Sequence, residues 1–190
     1  GIKASGDADL SLVATADGRA VPAAGVFTRN LMTAAPVRVT REHLQCDAGA
    51  AAAVVLNSGN ANAATGEAGM RDAEEMCVRV AAELGADRHE VLVCSTGLIG
   101  IPLPIDVIGA AIPALVAARS AEGGDAAARA IMTTDTHPKQ VVVRGDGFTV
   151  GGMAKGAAML APSMATMLAV LTTDAVVAPE ALHSALERAV

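Results

Sequence analysis

Two short apolar stretches, Ala51-Ala52-Ala53-Val54-Val55-Leu56 and His89-Glu90-Val91-Leu92-Val93-Cys94, bracket a segment with a different period. Between them Met70, Ala73, Met76, Cys77, Val80, Ala81 and Leu84 recur at helical spacing, Glu74, Glu75, Arg79 and Glu83 lie opposite, and Gly85 comes next. Short apolar runs bounded by turn residues predict buried strands, and the helical period predicts an amphipathic helix from Glu67 to Leu84, stopped by Gly85. Strands and helices that must bury apolar faces against one another define an α/β class, with mixed sheets packed with helices. The methionines of the helix are core filling rather than a cofactor box.

The composition says what fills that core. Of the 190 residues 52% are hydrophobic and only 1% aromatic, with two Phe, no Trp and no Tyr, so packing relies on Ala, Val, Leu, Ile and Met. Small side chains let helices approach a sheet closely, and the length suits one domain or half of a larger unit. A formal net charge of −6 argues against a nucleic-acid or anionic-membrane partner, which needs a basic surface. The most apolar segment, Met159 to Ala178, is broken by Pro162, Ser163, several threonines and Asp174, which fits a buried strand better than a membrane span. Cys46, Cys77 and Cys94 form no Cys-x-x-Cys pair and are expected as reduced, mostly buried thiols, with no metal site. The chain opens at Gly1-Ile2-Lys3 with neither a basic nor an apolar leader and without Met, so a fragment of a cytoplasmic protein is expected.

The remaining elements are set by local chemistry. Asp9 to Thr15 alternates loosely and Asp17-Gly18 supplies a turn, so strands are expected at 9–15 and 23–28; Ala34 to Val39 reads as a short extended piece. Ile105–Ala118 and Asp125–Ile131 read as helices, parted by Ser120-Ala121-Glu122-Gly123-Gly124. That loop lacks the Lys-Ser/Thr of a phosphate cradle. Gln140 to Met153 carries a hairpin signature at Gly145-Asp146-Gly147, and Pro179 opens a last helix that runs to Arg188.

Candidate chemistry gathers in four places. Lys155-Gly156 precedes a small-residue turn and a Pro162-Ser163 break, after which Ala165-Thr166 leads into an apolar run that stops at Asp174. This puts the Thr166 hydroxyl at the mouth of a buried strand. A threonine hydroxyl becomes a nucleophile only when a base takes its proton. If the segment strains the Ala165–Thr166 peptide, the hydroxyl can attack the Ala165 carbonyl, and hydrolysis of the resulting ester frees an α-amine that serves as the base. As a bare residue, Thr166 reads first as an ordinary strand threonine.

Ser95-Thr96-Gly97 can point a hydroxyl and a backbone N–H at one spot, an arrangement in which fixed donors contribute about 3 kcal/mol each to an oxyanion; it can also be a Ser/Thr turn capping the next segment. Asn57 to Gly66 is an Asx-rich loop, read first as a structural turn and second as a pocket wall. Met132-Thr133-Thr134-Asp135-Thr136-His137-Pro138-Lys139 sets hydroxyls and one acid together, suited to a small polar substrate. His137 there reads as a surface residue rather than a base. Lys155 can pair with a substrate carboxylate or be a solvated strand end.

Taken together, Asn57-Ser58-Gly59-Asn60-Ala61-Asn62, Ser95-Thr96-Gly97-Leu98-Ile99-Gly100, Met132 to Lys139, Lys155-Gly156, Ala165-Thr166-Met167-Leu168 and Thr173-Asp174-Ala175 resemble the bifunctional ornithine acetyltransferase/N-acetylglutamate synthase family of arginine biosynthesis, in order and along the whole chain. The resemblance implies the layered, N-terminal-nucleophile-like architecture shared with a related aminopeptidase. It implies self-cleavage between Ala165 and Thr166, with residues 1–165 as an α chain and 166–190 as the start of a β chain. Catalysis then runs through an acetyl-Thr166 ester, with Thr96 and Gly97 as oxyanion donors and Thr133, Lys155 and Thr166 meeting substrate. Implied partners are N-acetylornithine, glutamate and the β chain of the same precursor in an α/β heterotetramer; no cofactor is implied, with acetyl-CoA a possible further substrate. An aminopeptidase of similar architecture and a non-catalytic structural fragment are the competing expectations.

Overall fold

β-Branched and apolar residues concentrate at 53–56 and 91–94, and there the chain begins its two central strands. The computed structural model describes residues 2–46, 48–156 and 167–190. In order they form β1 (Leu10–Ala14), β2 (Val21–Pro22), α1 (Ala35–Cys46), β3 (Ala50–Ala51), β4 (Ala53–Asn60), α2 (Gly66–Leu84), β5 (Val91–Leu98), α3 (Ile105–Ala117), α4 (Gly124–Ala130), β6 (Lys139–Arg144), β7 (Thr149–Lys155), β8 (Leu168–Thr173) and α5 (Pro179–Ala189). One sheet has the order β1-β4-β5, a second β6-β7-β8, and β2 and β3 make a short ribbon. β4 and β5 run parallel, and β1 is antiparallel to β4. A parallel pair needs a crossover, and α2 supplies it.

Strand side chains alternate between faces, so the sheet β1-β4-β5 has two cores. On one face Val55, Val91 and Val93 meet Val39 of α1, Ala73, Met76, Cys77 and Val80 of α2, and Ile108 and Ile112 of α3. The other face sets Leu56, Val54 and Cys94 against Ala128 of α4, Ile131 and Met153 of β7. Each fully buried Val, Leu, Ile or Met contributes about 1.5–3 kcal/mol, which makes this two-sided burial the main stabiliser of a chain with almost no aromatic residues. α2 ends as its sequence requires: Gly85 takes a left-handed conformation (φ 71°) and its N–H donates to the Ala81 carbonyl. No described helix is long and apolar enough to cross a membrane.

Several local expectations need correction. Residues 34–39 are not an extended piece but the start of α1, which buries Ala35, Pro36, Val39, Thr40 and His43 along one side. Pro36 fits the first turn, where its missing N–H is no loss. No strand forms at 23–28; extended pairing there stops at Pro22. β4 runs on through Asn60, and β5 begins only at Val91, after a short 3-10 turn at Arg88–Glu90. β8 is mostly exposed rather than buried. Cys46 is exposed, while Cys77 is buried; all three thiols are free.

Candidate active site

The site is built where β5 and β7 bring their ends together. Cys94 of β5 faces the layer that holds β7, and Thr96, two residues on, points the same way. From the end of β7 the Lys155 Nζ donates to Thr96 Oγ1 at 3.1 Å. Both are buried, at 3% and 6% exposure. An ammonium only donates, so it occupies a lone pair of the hydroxyl oxygen and leaves the Thr96 O–H free to donate elsewhere. That polarity is what a developing oxyanion needs. Burial pushes the Lys155 amine below its ordinary pKa, and the Asp135 carboxylate opposes this, while Lys139 and Lys3 add to the lowering.

Gly97 lies at an irregularity in the β4–β5 ladder. Gly59 pairs with Gly97, and Asn60 then faces both Thr96 and Leu98. Ser95-Thr96-Gly97 is therefore no turn beyond the strand but a bulge within it, of the kind that re-aims side chains. The backbone of Gly97 sits at φ +134°, and a Cβ there would fall 2.3 Å from the Gly59 carbonyl carbon and 2.5 Å from the Asn60 nitrogen. Only glycine fits.

The asparagines hold this bulge in place. Ser95 Oγ donates to Asn57 Oδ1 at 2.6 Å, and Asn57 Nδ2 donates to the Asn60 carbonyl at 2.8 Å. Asn60 Nδ2 reaches the Ile101 and Pro102 carbonyls at 3.2 and 3.0 Å, and Asn62 Nδ2 the Gly69 carbonyl at 2.8 Å. All three asparagines are buried and spend their amides on backbone, which supports the structural reading of this segment.

Thr133, half-buried, donates its backbone N–H to Asp135 Oδ2 at 3.3 Å. Asp135 Oδ1 accepts from the Gly156 N–H at 3.0 Å and from Lys139 Nζ at 2.5 Å. Burial works against the charge of Asp135, but the Gly156 N–H, the Lys139 ammonium and the Thr133 N–H outweigh it and hold the carboxyl at about 2. Thr96, Gly97, Thr133 and Lys155 thus belong to one connected cluster. Ala165 and Thr166 lie outside the described residues. Sequence reasoning took Asp135 only as the one acid of a loop suited to a small polar substrate; Lys139 four residues on was a signal of its ion pair, but the Gly156 contact comes from the fold.

His137 is an exposed loop residue hydrogen-bonded to Thr136, and Arg29 is exposed as well. Burial pushes the Cys77 and Cys94 thiols up, Cys94 to about 12, so neither is poised as a thiolate. A cavity of about 270 Å³ opens between α1 and the start of α2, lined by Met32, Arg38, Thr65 and Met70 among others. It shares no residue with the Lys155–Thr96 cluster.

The layered α/β body is that of known ornithine acetyltransferase crystal structures. It superposes on ornithine acetyltransferase from Mycobacterium tuberculosis, complexed with ornithine, with a TM-score of 0.80 and 51% identity over 87% of this chain and 88% of that one. The corresponding protein of Bacillus halodurans, arginine biosynthesis bifunctional protein ArgJ, gives a TM-score of 0.61 at 34% identity, covering 83% and 91%. The ArgJ family model matches residues 1–190, and the chain belongs to that family. Among curated relatives, the arginine biosynthesis bifunctional proteins ArgJ of Mycobacterium leprae and Streptomyces coelicolor are 56% and 52% identical over all of this chain. The chain spans about half the length of these relatives, 48% and 49%.

Proposed function

We propose that this chain is the α region, residues 1–165, and the opening of the β region, residues 166–190, of a self-processing acetyltransferase that moves acetyl from N-acetylornithine to glutamate. The observation that carries this reading is the buried Lys155–Thr96 hydrogen bond, set on a strand whose partner leads back to Thr166. Lys155 pairs with Leu168 across the β7–β8 ladder. Leu168 is two residues beyond Thr166, and two residues of chain span about 7 Å at most. The M. tuberculosis structure, an ornithine acetyltransferase holding ornithine, supports the substrate class.

In the first reaction the Thr166 Oγ attacks the Ala165 carbonyl, the C–N bond breaks with a proton passing to nitrogen, and an ester joins the two parts. Water opens the ester, leaving a carboxylate on Ala165 and a free amine on Thr166. That amine then takes the Oγ proton as the oxygen attacks the acetyl carbon of N-acetylornithine. Thr96 O–H and Gly97 N–H meet the oxyanion, and ornithine leaves with the proton. The amine of glutamate attacks the acetyl ester, and N-acetylglutamate departs as Thr166 recovers its hydroxyl. Lys155 and Thr133 orient the amino-acid substrate, the ammonium as a point charge for a carboxylate. Acetyl-CoA as a second acetyl donor, a heterotetramer of two α and two β chains and a cytoplasmic location are parts of the same proposal.

Thr166→Ala, made in a chain of the relatives' full length, is the direct test. Mass spectrometry is expected to show an unbroken chain with no acetyl adduct, whereas the parent yields two fragments and an acetylated β chain on N-acetylornithine. A Thr166→Ala chain that still splits at that bond refutes the reading; continuous release of ornithine over many turnovers without glutamate replaces the acetyltransferase with a hydrolase.

A further inference from the structure

Asp135 is the charged group in the cluster that the proposed chemistry does not use. Its side chain is only 2% exposed, yet it sits on a loop. Two backbone donors from separate parts of the chain reach it, Gly156 N–H at 3.0 Å and Thr133 N–H at 3.3 Å, and Lys139 Nζ closes on the same oxygen as Gly156. A buried carboxylate costs free energy unless its oxygens are filled in this way.

The position of those donors is informative. Gly156 comes directly after the buried Lys155 and stands where β7 gives way to the segment that carries Ala165 and Thr166. Thr133 is the proposed substrate contact. One carboxylate therefore ties the Lys155 end of β7 to the Thr133 loop, and it is also the counter-charge for an ammonium that two further lysines, Lys139 and Lys3, work against.

We propose that Asp135 is a positioning residue: through Gly156 it fixes the root of the self-cleaving segment, and through Thr133 and the charge of Lys155 it keeps the substrate contacts aligned with Thr96. This rests on the acetyltransferase reading. In this proposal Asp135 acts through its neighbours, Gly156, Thr133 and Lys139.

The test uses Asp135→Asn, Asp135→Glu and Thr166→Ala in a chain of the relatives' full length. Asparagine keeps the shape and an acceptor but removes the charge. Self-cleavage is expected to slow, and kcat of the matured fraction to fall on the order of 100-fold with a smaller change in KM, the scale of a reacting group displaced by about 1 Å. With the negative charge gone, Lys155 faces only Lys139 and Lys3, so it gives up its proton at lower pH and the alkaline limb of the kcat profile moves down. A merely structural role would lower the rate evenly across pH. Asp135→Glu restores the charge and is expected to return that limb toward its parent position.

If Thr166→Ala abolishes cleavage while Asp135→Asn cleaves, turns over and titrates like the parent, the Asp135 proposal falls and the reading beneath it stands. If Thr166→Ala still cleaves, the reading itself fails. Should Asp135→Asn not fold, amide exchange in the unmodified protein decides: a Gly156 N–H held by the carboxylate is expected to be protected, and exchange at the rate of open chain overturns the proposal.

Discussion

Gly97 shows how much a single residue can constrain. A methyl group on it would overlap the backbone of Gly59 and Asn60, not the end of a movable side chain, and its φ of +134° is closed to other residues. Gly97→Ala is expected to destabilise the fold by about 3 kcal/mol or more, because either strand backbone must shift or the bulge must open. Urea unfolding measures the loss, and self-cleavage of the same variant is expected to fail with it, since Thr96 is aimed by that bulge. By contrast the tempting histidine of the neighbourhood, His137, has solvent on one side and Thr136 on the other. At this scale the sequence was partly legible: Thr96, Gly97, Thr133 and Lys155 stood out through the family resemblance, while their residue types alone left the structural readings open. Asp135 did not stand out, because its meaning lies in a backbone amide from the end of a strand distant in sequence.

Among elements, α1 repays the closest look. β5 is an edge strand among the described ones, and an uncovered edge leaves N–H and C=O groups unpaired. α1 covers it with side chains. The Thr40 hydroxyl donates to the Val93 carbonyl at 2.7 Å and accepts from the Val93 N–H at 2.9 Å, and His43 Nδ1 donates to the Val91 carbonyl at 2.8 Å. Thr40→Val keeps the shape but orphans both groups of Val93, so a loss of about 2–4 kcal/mol is expected. A fall in the urea midpoint with an unchanged slope would check it, and Thr40→Ser should recover most of the loss. This helix was illegible as a helix because Val37, Val39 and Thr40 favour strands and Pro36 reads as a breaker; what overrides those preferences is the strand edge it seals. α2 was legible for the opposite reason: its period and its terminal Gly85 agree with its place in the fold.

In the molecule as a whole, the two sheets enclose a core through α4 and β7, but the sheet β6-β7-β8 leaves much apolar surface uncovered. Val141, Val142, Val143 and Leu171 are each more than half exposed. Val141, Val143 and Leu171 share one face of that sheet and Val142 lies on the other; apolar surface of this kind is available to a further part of the fold, and the relatives have about twice this length. Sequence reasoning placed these strands but took β8 as buried, since an apolar run tells how much a strand can bury and not whether its covering is at hand. The proposed cleavage point falls between β7 and β8, which are joined from Val150↔Thr173 to Lys155↔Leu168. A cut there is a nick rather than a release: β8 stays stitched to β7 by a run of main-chain bonds. Matured protein is therefore expected to travel as one species on a sizing column and as two bands on a denaturing gel, because a cut ahead of Leu168 leaves every β7–β8 pair in place.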